Sequence, residues 1–313
     1  MVRGIVAIIK YQQAFLSLNK SLNIAFAMLV MAVIIYCNYY EHNFFSLVLL
    51  GSNHSWLRNL TGSFLLYFIP FVGTYFIQDK KIITVCLKNK WFIVLLFLAP
   101  AIFAFRVNFN FHHSLLAEYF HGDTVIFWQK CFDWLVRFIL VMIPLYILWR
   151  WKDKHIMQFY GSGALQNFKA YFIMLFIMIP VIASAAAIPS FMNMYPRAQQ
   201  IHHLNIHQDV FHYFVYELSY SIDFISIEFF FRGFLILAFM RITGMNCILP
   251  AACFYCCIHL GKPMPEAISS FFGGLILGTV SYHTKSIWGG LIVHLGIAWM
   301  MEIAGFTAHA IYK

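Results

Sequence analysis

Long apolar runs, each ended by polar or charged residues, dominate the pattern along the chain. A helix needs about 20 mainly apolar residues to cross a membrane core about 30 Å thick, and flanking residues extend the shorter runs to that length. We identify nine candidate segments: 23–40, 61–77, 91–106, 131–149, 170–190, 211–240, 244–260, 266–283 and 286–304. The pattern therefore predicts an all-α, polytopic integral membrane protein with about eight or nine transmembrane helices.

The composition indicates that the surface faces lipid rather than water. Of the 313 residues, 62% are hydrophobic and 11% are charged, whereas a typical soluble domain has about 25% charged residues. This balance excludes a soluble enzyme, a disordered chain and a small disulfide scaffold. The seven cysteines lie mostly inside apolar runs, where a thiol behaves as a small hydrophobic group.

Basic residues outnumber acidic ones by 21 to 12 and lie mostly between the apolar runs. Such loop charges are typical of membrane topology signals, so we expect no binding to nucleic acid. With the N-terminus inside, 13 basic residues fall on inner loops and five on outer loops. We therefore predict an N-terminus inside. We expect the bacterial inner membrane, because no organelle signal and no cleavable signal peptide are evident. The expected partners are membrane lipids and a peptide or membrane-protein substrate.

Several ionisable residues lie within the apolar runs of the last third of the chain. Placing one such charged side chain in the centre of a membrane costs roughly 2.5–3.5 kcal/mol on insertion scales. Because of this cost, ionisable residues at that depth are candidates for a function. Glu228 and Arg232 are four residues apart on one helix face and can pair. Counted at 1.5 Å per residue, Glu228, His259 and His294 lie about 18, 22 and 12 Å from the inner ends of their helices. A carboxylate and an imidazole can activate a water molecule. The alternatives are a structural ion pair and helix–helix hydrogen bonds.

Three short motifs carry a family resemblance over roughly residues 211–305. Glu228 to Gly233 is similar to E-E-x-x-x-R-G, and Tyr255 to His259 is similar to F-x-x-x-H with Tyr in place of Phe. The stretch that leads to His294 is similar to the approach to H-x-x-x-N. In this order and spacing the motifs resemble the CPBP intramembrane proteases. That family includes the CAAX prenyl endopeptidases and bacterial abortive-infection and bacteriocin-processing proteins.

The resemblance implies an endopeptidase that hydrolyses a peptide bond within or beside the membrane. It implies that Glu228 and His259 activate a water and that His294 stabilises the tetrahedral oxyanion. Arg232 is expected to fix Glu228 and to favour its charged form. The resemblance favours glutamate-dependent hydrolysis, so no metal and no cofactor are expected.

Two positions depart from the family motifs. The first glutamate of the E-E pair is Ile227, and the asparagine after the last histidine is Ala298. Asp223 lies one turn before Ile227 and is a candidate to replace the missing acid. Glu302 lies about 80° around the helix from His294 and is a candidate for the missing polar group. We therefore expect Asp223 and Glu302, together with Arg232, to support the catalytic residues.

Two alternatives to the peptidase remain open: a catalytically inactive relative that binds a peptide or lipid, and a transporter. Against a transporter, no internal repeat is evident. On the main hypothesis, residues 1–200 form a transmembrane scaffold and residues 201–313 the protease-like domain.

Weaker candidates for metal binding and for structural contacts lie elsewhere in the chain. Cys253, Cys256 and His259 spread over about 120° of a straight helix, so a zinc site is not favoured. A solvated loop is favoured over a metal site for His203 and His207. Helical spacing predicts a surface network of three charged residues: Lys130, Asp133 and Arg137.

Overall fold

The computed structural model describes residues 2–19, 21–40, 55–78, 80–163, 168–202, 204 and 210–311. Within these ranges every regular element is helical, which confirms the all-α prediction. In the part of the chain that the structure describes, five helical stretches are long and apolar enough to cross a membrane: Ser21–Tyr40, Lys90–Tyr119, Asp123–Asp153, Phe168–Ala185 and Trp288–Ile311. The length and composition of these helices indicate an integral membrane protein. The count of eight or nine spans stays a prediction. His203 and His207 lie outside the described residues.

Helices account for all nine predicted apolar segments, with ends that differ by several residues. The longer helices are α1 Val2–Leu18, α2 Ser21–Tyr40, α3 Trp56–Phe76, α4 Lys80–Lys88, α5 Lys90–Asn108, α6 His112–Tyr119, α7 Asp123–Leu148, α8 Phe168–Ala185, α9 Val210–Glu228, α10 Ile248–Cys257, α11 Met264–Thr284 and α12 Trp288–Ile311. The sequence pattern does not predict α1 as a span, because Lys10, Gln12 and Gln13 interrupt its apolar run. The side chain of Gln12 hydrogen bonds to Thr279 of α11, so the polar interruption is a contact between helices.

The segment predicted at 211–240 is not one regular helix. After α9 the backbone continues as a π-helix over Phe229–Ala238, in which all ten residues are buried. A π-helix forms i→i+5 hydrogen bonds and is often found at functional sites. Gly233 lies against the backbone of Tyr160, where a Cβ atom would come within 2.7 Å of the carbonyl oxygen. This close approach fixes the π-helix against the Phe159–Gly161 turn.

Aromatic rings form the core around the π-helix. Phe103 of α5 packs against Phe230 and Phe231, with ring centroids 5.1 and 5.4 Å apart. Phe254 of α10 contacts the same two rings at 5.7 and 5.3 Å and also contacts Phe71 of α3 at 5.6 Å. Offset and edge-to-face aromatic pairs of this kind add about 0.5–1.5 kcal/mol each beyond their buried area. The core therefore holds α10 and the π-helix in a fixed relation.

A buried ion pair joins α5 to α9. The Nη2 atom of Arg106 donates to both carboxylate oxygens of Asp223, at 2.5 and 2.7 Å. The hydroxyl of Ser226 also donates to Asp223, at 3.2 Å. Both charged residues are buried, with 4% and 8% of their surface exposed. The pair therefore fixes α9 just before the residues that lead to Glu228.

Removal of one member of this pair leaves an uncompensated buried charge. We expect Arg106→Ala to lower the free energy of unfolding in detergent by about 3–5 kcal/mol. The exposed Arg150 gives a matched control, and Arg150→Ala is expected to change stability by less than about 0.5 kcal/mol. The double variant Arg106→Met, Asp223→Leu should be more stable than Arg106→Ala alone. Equal stability of Arg106→Ala and Arg150→Ala would contradict a stabilising role for the pair.

Candidate active site

Glu228, the last residue of α9, has no exposed surface. Its Oε1 atom lies 2.8 Å from Nδ1 of His294 on α12. Its Oε2 atom lies 3.4 Å from Nε of Arg232, one turn further along the chain. The predicted pairing of Glu228 with Arg232 is therefore present, and His294 adds a second polar contact from another helix.

The start of α12 leaves room for this carboxylate. Gly290 faces Glu228 and Arg232, and a Cβ atom at position 290 would overlap Oε2 of Glu228. The neighbouring Gly289 lies against the ring of Tyr171 of α8 in the same way. Two adjacent glycines thus let α12 approach both elements closely, which brings His294 onto Glu228.

Tyr255 of α10 also contacts His294. Its hydroxyl oxygen is 3.0 Å from Nε2 and 3.4 Å from Nδ1 of His294, so it lies over the imidazole ring. The guanidinium carbon of Arg232 lies 4.2 Å from the centre of the Tyr255 ring, which places the cation over the ring face. A cation in this position over a buried ring is stabilised by about 2 kcal/mol or more. Glu228, His294 and Tyr255 therefore bring polar atoms from three helices into contact.

His259 lies one residue beyond the C-cap of α10 and packs on Tyr255. The two ring centroids are 4.6 Å apart, and Nδ1 of His259 is 2.8 Å from the backbone oxygen of Tyr255. A carbonyl oxygen can only accept, so Nδ1 carries the proton. In the neutral imidazole, Nε2 therefore carries the lone pair.

The turn after His259 is held by a second ion pair. Nζ of Lys262 lies 2.5 Å from Oε1 of Glu266, and the hydroxyl of Tyr195 donates to Oε2 of Glu266 at 2.9 Å. Burial is the largest single influence and lowers the pKa of Lys262, but the attraction and hydrogen bond to Glu266 and the contribution of Tyr220 together raise the pKa above its ordinary value. Lys262 therefore stays charged next to the site.

The three predicted catalytic residues lie close together in the structure, but only two of them are in direct contact. Glu228 and His294 are in direct contact, and the ring of Tyr255 separates His294 from His259. Among the described hydrogen bonds, none joins Glu228 to His259. The direct partner of the carboxylate is thus the imidazole of His294.

Two predicted supporting residues have partners elsewhere. Asp223 pairs with Arg106, as described above. Glu302 accepts hydrogen bonds from the backbone N–H groups of Arg197 and Ala198, at 2.9 and 3.4 Å. Asp223 therefore anchors α9, and Glu302 anchors the loop before α9 to α12. Arg232 is the supporting residue that contacts Glu228 directly.

The sequence motifs assign no role to Tyr255 or Gly290. A signal for Tyr255 is present in the sequence, since a tyrosine replaces the phenylalanine of the second motif. The contact of Gly290 with Glu228 joins residues far apart in the sequence and has no local signal. Asp133 of the predicted surface network has two further partners that spacing did not predict, because its Oδ1 atom contacts Nε2 of His112 and of His113 at 2.9 and 2.7 Å. Within the described ranges, these three residues form the one cluster with ligand atoms close enough to hold a metal ion.

The fold and the site define a class of protein: a helical membrane protein with a carboxylate–imidazole pair and a second imidazole in its core. Residues 211–300 match the family model described as type II CAAX prenyl endopeptidase Rce1-like. The match confirms the resemblance predicted from the motifs and includes all three predicted catalytic residues. It supports a CAAX-protease-like function in general terms. No curated protein and no solved structure matches the chain.

The Glu228–Arg232 pair predicts a strong energetic coupling. Both residues are nearly inaccessible to solvent, so each single variant leaves its partner's charge uncompensated. We expect Glu228→Gln and Arg232→Met each to be destabilising. The double variant should be less destabilised than the sum of the two single effects, by about 2–3 kcal/mol. Denaturant titrations in detergent measure all four forms, and additive effects would contradict a direct pair.

Proposed function

We propose that the chain is an endopeptidase that hydrolyses a peptide bond within or beside the membrane by means of a water activated by glutamate and histidine. The proposal is supported chiefly by one observation. Glu228 and His294 form a buried hydrogen bond, and His259 packs on the ring of Tyr255 next to them. The family match over residues 211–300 supports the same reaction class.

His259 supplies the base in this proposal. Its Nδ1–H is held by the backbone oxygen of Tyr255, so its Nε2 lone pair can accept a proton from water. The hydroxide formed attacks the carbonyl carbon, and the proton on Nε2 later passes to the leaving amine nitrogen. In this proposal the negative charge of Glu228 favours the proton transfer across the intervening ring of Tyr255, and the hydrogen bond from Nδ1 of His294 to Glu228 fixes the second imidazole. Arg232 holds the Glu228 carboxylate in place.

The two departures from the family motifs are compatible with a working enzyme. Ile227 removes one acid, but Glu228 remains with two polar partners. Ala298 removes an amide one turn after His294, but the hydroxyl of Tyr255 contacts the same imidazole. The chain therefore retains a carboxylate, two imidazoles and a guanidinium around one point. This chemistry is carried by side chains, and we propose that it uses neither a metal nor a cofactor.

Substitution of His259 tests the activity. Purified protein in liposomes would be incubated with membrane-anchored peptides that end in a cysteine–aliphatic–aliphatic–X sequence, in prenylated and unprenylated forms. We expect cleavage by the wild type and a loss of at least about 100-fold in His259→Ala, since general base catalysis contributes about 10²–10⁴-fold. His309→Ala is the matched control, because it also removes a hydrogen-bonded imidazole but one that contacts Met192. Equal cleavage by His259→Ala and the control would remove His259 from the mechanism, and no cleavage by the wild type would refute the peptidase.

We also propose that the protein lies in a bacterial inner membrane with its N-terminus inside and its C-terminus outside. The supporting observation is the excess of basic residues on the predicted inner loops. A C-terminal alkaline phosphatase fusion should be active in bacterial cells, and a C-terminal fluorescent protein fusion should be dark. The reverse pattern would place the C-terminus inside.

A further inference from the structure

Two of the three differences from the family motifs lie beside one imidazole, that of His294. The second motif has Tyr255 in place of phenylalanine, and the third has Ala298 in place of asparagine. Ala298 lies one helical turn after His294, so it is on the same face of α12. The hydroxyl of Tyr255 approaches His294 from α10. The chain has thus lost one hydrogen-bond donor beside His294 and gained another.

The contact with Glu228 limits what His294 can donate. Nδ1 of His294 faces a carboxylate oxygen of Glu228 at 2.8 Å, and a carboxylate accepts, so Nδ1 carries a proton. In a neutral imidazole, Nε2 then carries the lone pair, and the hydroxyl oxygen of Tyr255 lies over the ring, 3.0 Å from Nε2 and 3.4 Å from Nδ1. The neutral form of His294 therefore has no further N–H group to offer to a substrate.

The hydroxyl of Tyr255 is held in a fixed position. The residue is 5% exposed, and its ring is in contact with Phe231 at 5.0 Å and with His259 at 4.6 Å. The Arg232 cation lies over the ring face. The ring cannot move away without a rearrangement of the core, whereas the hydroxyl hydrogen is free to rotate about its C–O bond.

We infer that Tyr255 donates the hydrogen bond that stabilises the oxyanion during peptide hydrolysis, in place of the amide missing at Ala298. This inference rests on the proposed function. When hydroxide adds to the carbonyl carbon, the C=O π electrons move to oxygen. The Tyr255 O–H turns from the imidazole of His294 toward that oxygen, and the O–H bond stays intact. The hydroxyl thereby gains a charge-assisted hydrogen bond, which is roughly twice as strong as a neutral one. His294 is then a positioning residue for the hydroxyl.

The test is Tyr255→Phe, which removes the hydroxyl and restores the family residue. Loss of one oxyanion donor typically lowers kcat by about 10²–10³-fold. We expect a fall in this range, with KM changed by less than about threefold. The control is Tyr67→Phe, because Tyr67 is also buried and its ring stacks on Phe254, the residue before Tyr255. The substrate is the peptide that the wild type cleaves in liposomes.

Two further measurements separate a catalytic from a structural role. A phosphonamidate analogue of the cleaved peptide carries a tetrahedral oxyanion, and we expect Tyr255→Phe to weaken its inhibition by at least about tenfold while Tyr67→Phe leaves it unchanged. Addition of Ala298→Asn to Tyr255→Phe should restore at least about tenfold of the lost kcat.

The outcomes distinguish this inference from the proposed function. Retention of kcat by Tyr255→Phe, or an equal loss in Tyr67→Phe, would overturn the role of Tyr255 while the peptidase stands. Unchanged inhibition by the phosphonamidate would do the same. A wild type that cleaves none of the peptides would overturn both.

Discussion

A carboxylate with no access to solvent has to be compensated from within the protein, and this constraint at Glu228 organises the C-terminal helices. The idealised transfer cost of such an ion is large, and several kcal/mol remain even after relaxation. Arg232 supplies the opposite charge and His294 a hydrogen bond. Because Arg232 also lies over Tyr255, the requirement of one buried charge reaches across α9, the π-helix, α10 and α12.

The need to compensate charged groups within the protein also accounts for contacts outside the site. Asp223 is paired with Arg106, and Asp153 with Arg241 and the hydroxyl of Tyr160. The two ion pairs join residues that are far apart in the sequence. The contact of Asp153 with Tyr160 joins residues that are seven apart. Polar side chains in an apolar chain thus act as specific links between helices, whereas aromatic rings pack the core around the π-helix.

Much of this arrangement could be predicted from local sequence patterns. The nine apolar segments coincide with helices because burial in lipid or in a core demands long apolar runs. The Glu228–Arg232 contact followed from four-residue spacing on a helix. The π-helix at Phe229–Ala238 was not predictable, because its apolar residues fit an α-helix equally well. The partners of Asp223 and Glu302 lie more than a hundred residues away, so only the tertiary fold reveals that both side chains are already engaged.

At the paired glycines at the start of α12, a substitution that favours the helix would disturb the candidate site. Glycine in a helix interior costs roughly 0.8–1.0 kcal/mol relative to alanine, so a search for stabilising substitutions would select Gly290→Ala on helix propensity alone. The added methyl group would occupy the volume that the Glu228 carboxylate now fills. The helix thus forgoes intrinsic stability to admit a charged group. Efforts to engineer a more robust form of this protein should therefore leave position 290 without a side chain and look for gains on the lipid-facing surface.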